Sequence, residues 1–224
     1  IGGWMLAYFV KMIKGDFKGL DAAGVEQAFG SLTTDLGTML FWMLLVVVIG
    51  FAICSLGLQS GVERITKGMM VILLLLMIVL AVNSCLLPGG TEGLEFYLKP
   101  DFGKLTEYGL SEVIFAAMGQ AFFTLSLGIG ALAVFGSYIG KERKLTGEAV
   151  NILVLDTFVA LTAGLIIFPA CSAFGVDPGE GPGLVFVTLP NVFNNMKGGR
   201  FWGSLFFLFM TFAALSTIIA VFQN

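Results

Sequence analysis

Apolar residues along this chain fall in long uninterrupted runs, not in the alternating or three-and-four patterns of a half-buried soluble element. A membrane-spanning helix needs about 20 mostly apolar residues. Met39–Leu58 and Met69–Leu87 meet that length without a charge. Val113–Ile139 is long and uncharged but broken up by glycines, and Val150–Phe174 is apolar apart from Asp156. Leu205–Phe222 is clean and sits in a helix expected over 203–222. Ile1–Val10 reads as the tail of a further helix that ends near residue 14. The pattern predicts an all-α polytopic membrane protein with five full spans and one partial span. The chain starts at Ile1 inside an apolar stretch, so it reads as an internal piece of a longer protein.

The loops between the spans alternate in character. Gln59–Gly68 is short and holds Arg64 and Lys67, and Gly140–Ala149 is short and holds Lys141, Arg143 and Lys144. The other connections are long and acid-rich. One carries Asp16, Asp21, Glu26 and Asp35, the next Glu92, Glu95, Asp101, Glu107 and Glu112, and the last Asp177 and Glu180. Lysine and arginine concentrate on the cytoplasmic side of membrane proteins, so the short basic loops face inward. In the last outer loop, Gly179–Gly183 is a turn cluster, and short apolar elements flank Pro190. That segment, 175–202, is expected to form a bent hairpin lying against the outer face.

Composition narrows the function. Of the 224 residues 57% are hydrophobic and only 12% charged, with a mean hydropathy of +0.95. Soluble domains carry about 25% charged residues. The net charge of −3 gives no basic face for nucleic acid. There is no histidine, which removes Ser-His and Cys-His catalysis and histidine-held metals. Cys54, Cys85 and Cys171 are widely spaced in apolar runs, with neither zinc spacing nor a disulfide framework. One intramembrane carboxylate and no histidine offer little catalysis, so the chain is not expected to be an enzyme. A transporter and a channel or membrane scaffold remain as competing classes.

Three groups of residues carry candidate chemistry. Thr124 and Ser126 lie between Gly119 and Gly128–Gly130 at mid-span. A helix broken there exposes carbonyls, which lipid tolerates only where they line a cavity, and such oxygens suit an ammonium group or a sodium ion. An intact helix with small residues for close packing accounts for the same composition. Asp156 is a charge inside an apolar span. Such residues are costly and mark ion or substrate paths by default, although a position near the interface is the plainer alternative. Thr211, Ser216 and Thr217 place hydroxyls in the last span. Ala213, Ser216 and Thr217 share one face, where they serve either packing or an oxygen cage for a hard cation.

The stretch GQAFFTLSLGIGA resembles the unwound sixth helix of the sodium:neurotransmitter symporter family, in its bacterial leucine-transporter-like branch. GVERITKGMM, LEFYLKPDF and GPGLVFVTLPNVF resemble that family's fifth-helix start and its third and fourth outer loops. LFFLFMTFAALSTIIAV resembles the eighth helix, and IGGWMLAY the outer end of the third. The resemblance implies an inverted five-plus-five helix repeat with a broken sixth helix, of which this chain holds the end of helix three through helix eight. It implies a sodium-coupled symporter of a neutral, apolar amino acid, in the cell inner (plasma) membrane. Its partners would be the lipid bilayer and the upstream and downstream helices of the same protein.

By position in the resemblance, Thr124 and Asp156 hold one sodium ion. Ala213, through its carbonyl, Ser216 and Thr217 hold a second. Phe123, Thr124, Ser126, Ile129, Thr217 and Val221 line the substrate pocket. Two positions depart from the family pattern. Asp156 stands where the leucine transporter has a neutral amide, and Ala160 where it has a glutamate. Animal members use chloride there, so with Asp156 supplying the charge no chloride is expected. The proline found ten residues after the glycine that opens helix five is absent, since Gly61 is followed at that spacing by Val71. The resemblance therefore leaves open whether this helix unwinds.

Overall fold

A computed structural model describes residues 1–55, 59–100, 102–103, 109–125, 127, 136, 144–179, 181 and 183–222. The described residues are nearly all helical and include no strand. In chain order the helices are α1 Gly2–Lys14, α2 Ala22–Thr34, α3 Leu36–Ser55, α4 Gln59–Cys85, α5 Gly90–Leu98, α6 Leu110–Thr124 and α7 Leu145–Phe174. A π-helical turn, Leu184–Thr188, follows, then α8 Leu189–Asn195 and α9 Gly199–Phe222. Among the described residues four segments are long and apolar enough to cross a membrane: Leu36–Ser55, Lys67–Cys85, Leu145–Phe174 and Gly199–Ile219. The chain is an integral, multi-pass membrane protein.

Local chemistry explains the boundaries. α3 starts three residues before the apolar run because Asp35 caps it. The Asp35 carboxylate accepts from the Thr38 hydroxyl and from the Gly37 N–H. These bonds, the Thr38 hydroxyl first, hold its carboxyl below the usual range. α1 stops at Gly15, whose φ of 84° is left-handed and lets its N–H return to the Lys11 and Met12 carbonyls. The Arg200 guanidinium, from the start of α9, donates to the Ile13 carbonyl at the same end. Asn194 of α8 donates to the Phe17 carbonyl at 2.7 Å. The outer end of α1 is thus tied to α8 and α9 by side chains that satisfy otherwise orphaned carbonyls.

The core is aromatic. Tyr8, Phe17, Phe186, Phe193 and Phe207 are fully buried. Phe186 meets Tyr8 at 4.9 Å, Trp4 at 5.7 Å and Phe29 at 5.4 Å between ring centroids. Within the segment 175–202, Leu184–Asn195 is one continuous helical segment, a π-turn running into α8. Its Phe186, Val187, Val192 and Phe193 are buried. The helical run continues through Pro190 at the start of α8.

A second nexus lies on α7. Pro169 inside that helix has no N–H, so the Leu165 carbonyl four residues back loses its helical partner. The Cys85 thiol of α4 donates to it at 3.8 Å. α5 lies across the same region with almost no gap. A Cβ on Gly93 would stand 2.1 Å from the Phe168 carbonyl oxygen, so only glycine permits the contact. α4 runs unbroken through Val71, as its missing proline allows.

Candidate functional site

α6 ends at Thr124, with the Leu125 N–H returning to the Ala121 carbonyl. Of the residues expected beyond that end, Ser126 and Ile129 lie outside the described residues, as does most of 113–139 past Thr124. Thr124 points at α7. Its hydroxyl lies 3.2 Å from each oxygen of the Asp156 carboxylate and donates to it. Asp156 stands eleven residues into α7, about 16 Å along its axis from Leu145, and six residues into the apolar run that opens at Val150.

The charge at Asp156 is half-buried, and among the described residues no lysine or arginine pairs with it. Lys99 pairs instead with Glu95 of α5. A carboxylate at membrane depth with a hydroxyl beside it and no protein cation is electrically incomplete. The C-terminal end of α6 adds the negative end of a helix dipole. All three features favour a cation, and all the donors are hard oxygens. That set fits sodium and not a soft transition metal. Among the described residues no group of three His, Cys, Asp or Glu side chains converges on a metal.

The second group lies within one turn of α9. The Ser216 hydroxyl donates to the Ala213 carbonyl at 2.7 Å, and the Thr217 hydroxyl donates to the same oxygen at 3.2 Å. Three oxygens therefore converge in one small volume, each hydroxyl keeping two lone pairs for a cation. Thr211, also singled out by its hydroxyl, behaves differently: it is buried and donates only to its own helix, at the Phe207 carbonyl. No described hydrogen bond links the α9 group to the Thr124–Asp156 pair. Phe123, on the last turn of α6, is largely exposed at 80%. Val221 lies in the final turn of α9, with its side chain outside the description.

Two elements of this region were not legible in advance. Pro169 inside α7 was read only as part of an apolar run. The π-turn has no period that a pattern search detects, yet such turns cluster at functional places.

The fold is that of a helical, multi-pass membrane protein whose spans carry two groups of hard oxygen donors. The chain belongs to the sodium:neurotransmitter symporter family, whose model matches residues 24–224. That family consists of transporters, not enzymes. An uncharacterized sodium-dependent transporter of Haemophilus influenzae is 35% identical over 100% of this chain and 49% of its own length. The sodium-dependent transporter YhdH of Bacillus subtilis is 38% identical over 100% of this chain and 49% of its own. The chain thus spans about half the length of the curated relatives it matches. The solved structure of MhsT in complex with L-phenylalanine superposes with a TM-score of 0.89 at 40% identity, covering 99% of this chain and 50% of MhsT. The human sodium- and chloride-dependent creatine transporter 1 is 30% identical over 63% of this chain.

Proposed function

We propose that this chain forms the end of helix three through helix eight of a sodium-coupled symporter for a neutral, apolar amino acid, working by alternating access in the cell inner membrane. The observation that carries the reading is the pairing of Thr124 with Asp156. A carboxylate deep in a span, with only a hydroxyl for company, is stable as an anion when a cation joins it. Sodium at this place also offers positive charge to the carboxylate of an amino acid, while the carbonyls at the end of α6 suit its ammonium group. Substrate and ion then each favour the other's binding, which is how a symporter couples them. Ala213, Ser216 and Thr217 take a second sodium ion. Each sodium crossing 100 mV is worth about 2.3 kcal/mol, so two supply about 4.6 kcal/mol, roughly a thousandfold accumulation.

An apolar substrate is supported by Phe123, Ile129 and Val221 as pocket walls and by the L-phenylalanine bound to MhsT. Chloride independence is supported by Asp156, whose carboxylate supplies a negative charge beside Thr124 from the protein itself. The experiment is uptake of radiolabelled L-phenylalanine and smaller neutral amino acids by proteoliposomes holding the full-length transporter. Saturable uptake driven by an inward sodium gradient is expected. Non-saturating sodium current without accumulation would instead identify a channel.

A further inference from the structure

One face of α2 and the π-turn enclose a cleft that none of the transport chemistry uses. Ala23, Glu26, Gln27 and Gly30 line one wall at the i, i+3, i+4, i+7 spacing that places them on a single helix face. Phe29 stands at its edge, and Gly183 and Val187 form the opposite wall. The volume is about 530 Å³, within the range of small-molecule sites. Small residues create it: a Cβ on Gly30 would meet nothing within 4 Å. Val187 makes an apolar floor, and Glu26 and Gln27 lie exposed at the mouth.

The lining selects a chemistry. It carries one carboxylate, one amide, an aromatic edge and no basic residue. Among the described residues Glu26 makes neither an ion pair nor a hydrogen bond. A single carboxylate is too few ligands for a divalent metal, which takes six or more oxygens. One negative charge at the mouth of a cleft with an apolar floor instead matches an ammonium group on an apolar body. The Phe29 wall is also held rigid. Its ring stacks on Phe186 at 5.4 Å and 9° between planes, and Phe186 is buried against Trp4 and Tyr8 of α1. A site whose wall is already fixed loses little entropy on binding.

We propose that the cleft between α2 and the π-turn binds a small organic cation, an ammonium carrying an apolar or aromatic group, at a place distinct from the substrate pocket. The probe is radiolabelled benzyltrimethylammonium, bound to the full-length transporter in nanodiscs. Saturable binding is expected. Glu26→Gln removes a partly solvated ion pair and should weaken it by about threefold to fivefold. Gly30→Leu fills the cleft and should abolish it. Glu92→Gln, on another acid-rich outer loop, and Phe123→Ala, at the end of α6, should leave it unchanged. Glu26 is exposed and Gly30 faces open space, so both variants should keep the melting temperature and the sodium-dependent uptake of wild type. Absence of saturable binding overturns the proposal. So does an equal loss in Glu92→Gln, which would mean diffuse surface charge, or loss in Phe123→Ala, which would place the probe in the transport path.

Discussion

Replacing Ser216 and Thr217 together by alanine tests the second sodium site most directly. In the structure both hydroxyls donate to the Ala213 carbonyl, at 2.7 and 3.2 Å. A cation at this place takes a lone pair from each hydroxyl and from the carbonyl. A hydrogen bond involving a charged group is worth about 1.5–3 kcal/mol, and a neutral one about 0.5–1.5 kcal/mol. When the carbonyl oxygen turns to the ion, each hydroxyl gives up its bond to that oxygen and points a lone pair, not its proton, at the ion, so the neutral bond is exchanged for the charged contact. The net is about 1–1.5 kcal/mol per hydroxyl, or about 2–3 kcal/mol for both. At 1.4 kcal/mol per tenfold, the sodium concentration for half-maximal uptake should rise roughly 30- to 140-fold. Thr217→Val alone should raise it roughly fivefold to tenfold on the same arithmetic.

The assay is initial uptake in proteoliposomes across a sodium series at constant ionic strength, with folded protein quantified by its melting transition. Thr211→Val is the internal control. Thr211 lies on the same helix and makes the same kind of backbone bond, at 2.7 Å to Phe207, but stands outside the oxygen group. It should leave the sodium dependence within about twofold of wild type, well under 1 kcal/mol. A double variant with unchanged sodium dependence refutes the site. An equal shift in Thr211→Val refutes the argument from convergent oxygens, because it would make the effect a general one of the helix.

Three further outcomes follow from other parts of the molecule. Exchanging chloride for gluconate should leave wild-type uptake unaltered, while Asp156→Asn should either lose transport or regain part of it only with chloride; strong chloride dependence in wild type would remove Asp156 as the counter-charge. Gly93→Ala drives a methyl group into the Phe168 carbonyl and should cost about 1–3 kcal/mol of stability, whereas Gly68→Ala, which meets nothing within 4 Å, should be neutral or stabilising; thermal melts of the two variants measure the contrast, and equal melts would contradict the close approach of α5 to α7. Ile129→Phe should weaken large apolar substrates more than alanine or glycine, by about 1–3 kcal/mol, and equal loss for all substrates in competition uptake would take Ile129 out of the pocket wall.

What the sequence reveals about this protein follows from which forces are local. The long apolar spans are set by the cost of burying polar backbone in lipid, which acts on every residue of a run, so composition alone places them. Their ends depend on single capping groups, and Asp35 three residues ahead of Thr38 is a start signal that the apolar count passes over. The pairing of Thr124 with Asp156 crosses 32 positions. Neither residue announces the other, and only the family resemblance joined them before the structure did. Cys85 illustrates the limit. An apolar-run cysteine reads as a small core residue, and its bond to the Leu165 carbonyl exists because Pro169, on a helix 80 positions away, leaves that oxygen without a donor.

If the two oxygen groups hold sodium as proposed, the packing also couples them to one motion. α9, which carries Ala213, Ser216 and Thr217, packs on α1 and α3, and its outer end is fastened to α1 through Arg200. α7, which carries Asp156, packs on α5 with the tightest backbone approach at Gly93. α4 touches both α7 and α9 and runs between them as one unbroken helix. A shift of α7 relative to α9 therefore has to be taken up where those two groups meet. The points available are the turn of α7 at Pro169, with its thiol-held carbonyl, and the π-turn that contacts both α7 and α2. Neither ion can drive such a shift by binding tightly. It does so only by binding one arrangement better than the other. Thr124 and Asp156 meet this condition by construction, since they stand on different helices and a displacement of α6 against α7 opens their 3.2 Å contact. Ala213, Ser216 and Thr217 do not, because all three lie within one turn of the same helix and move together. For the second ion to favour one state, at least one further oxygen has to come from another helix, and the exposed flank of Thr217 is the side on which it would arrive.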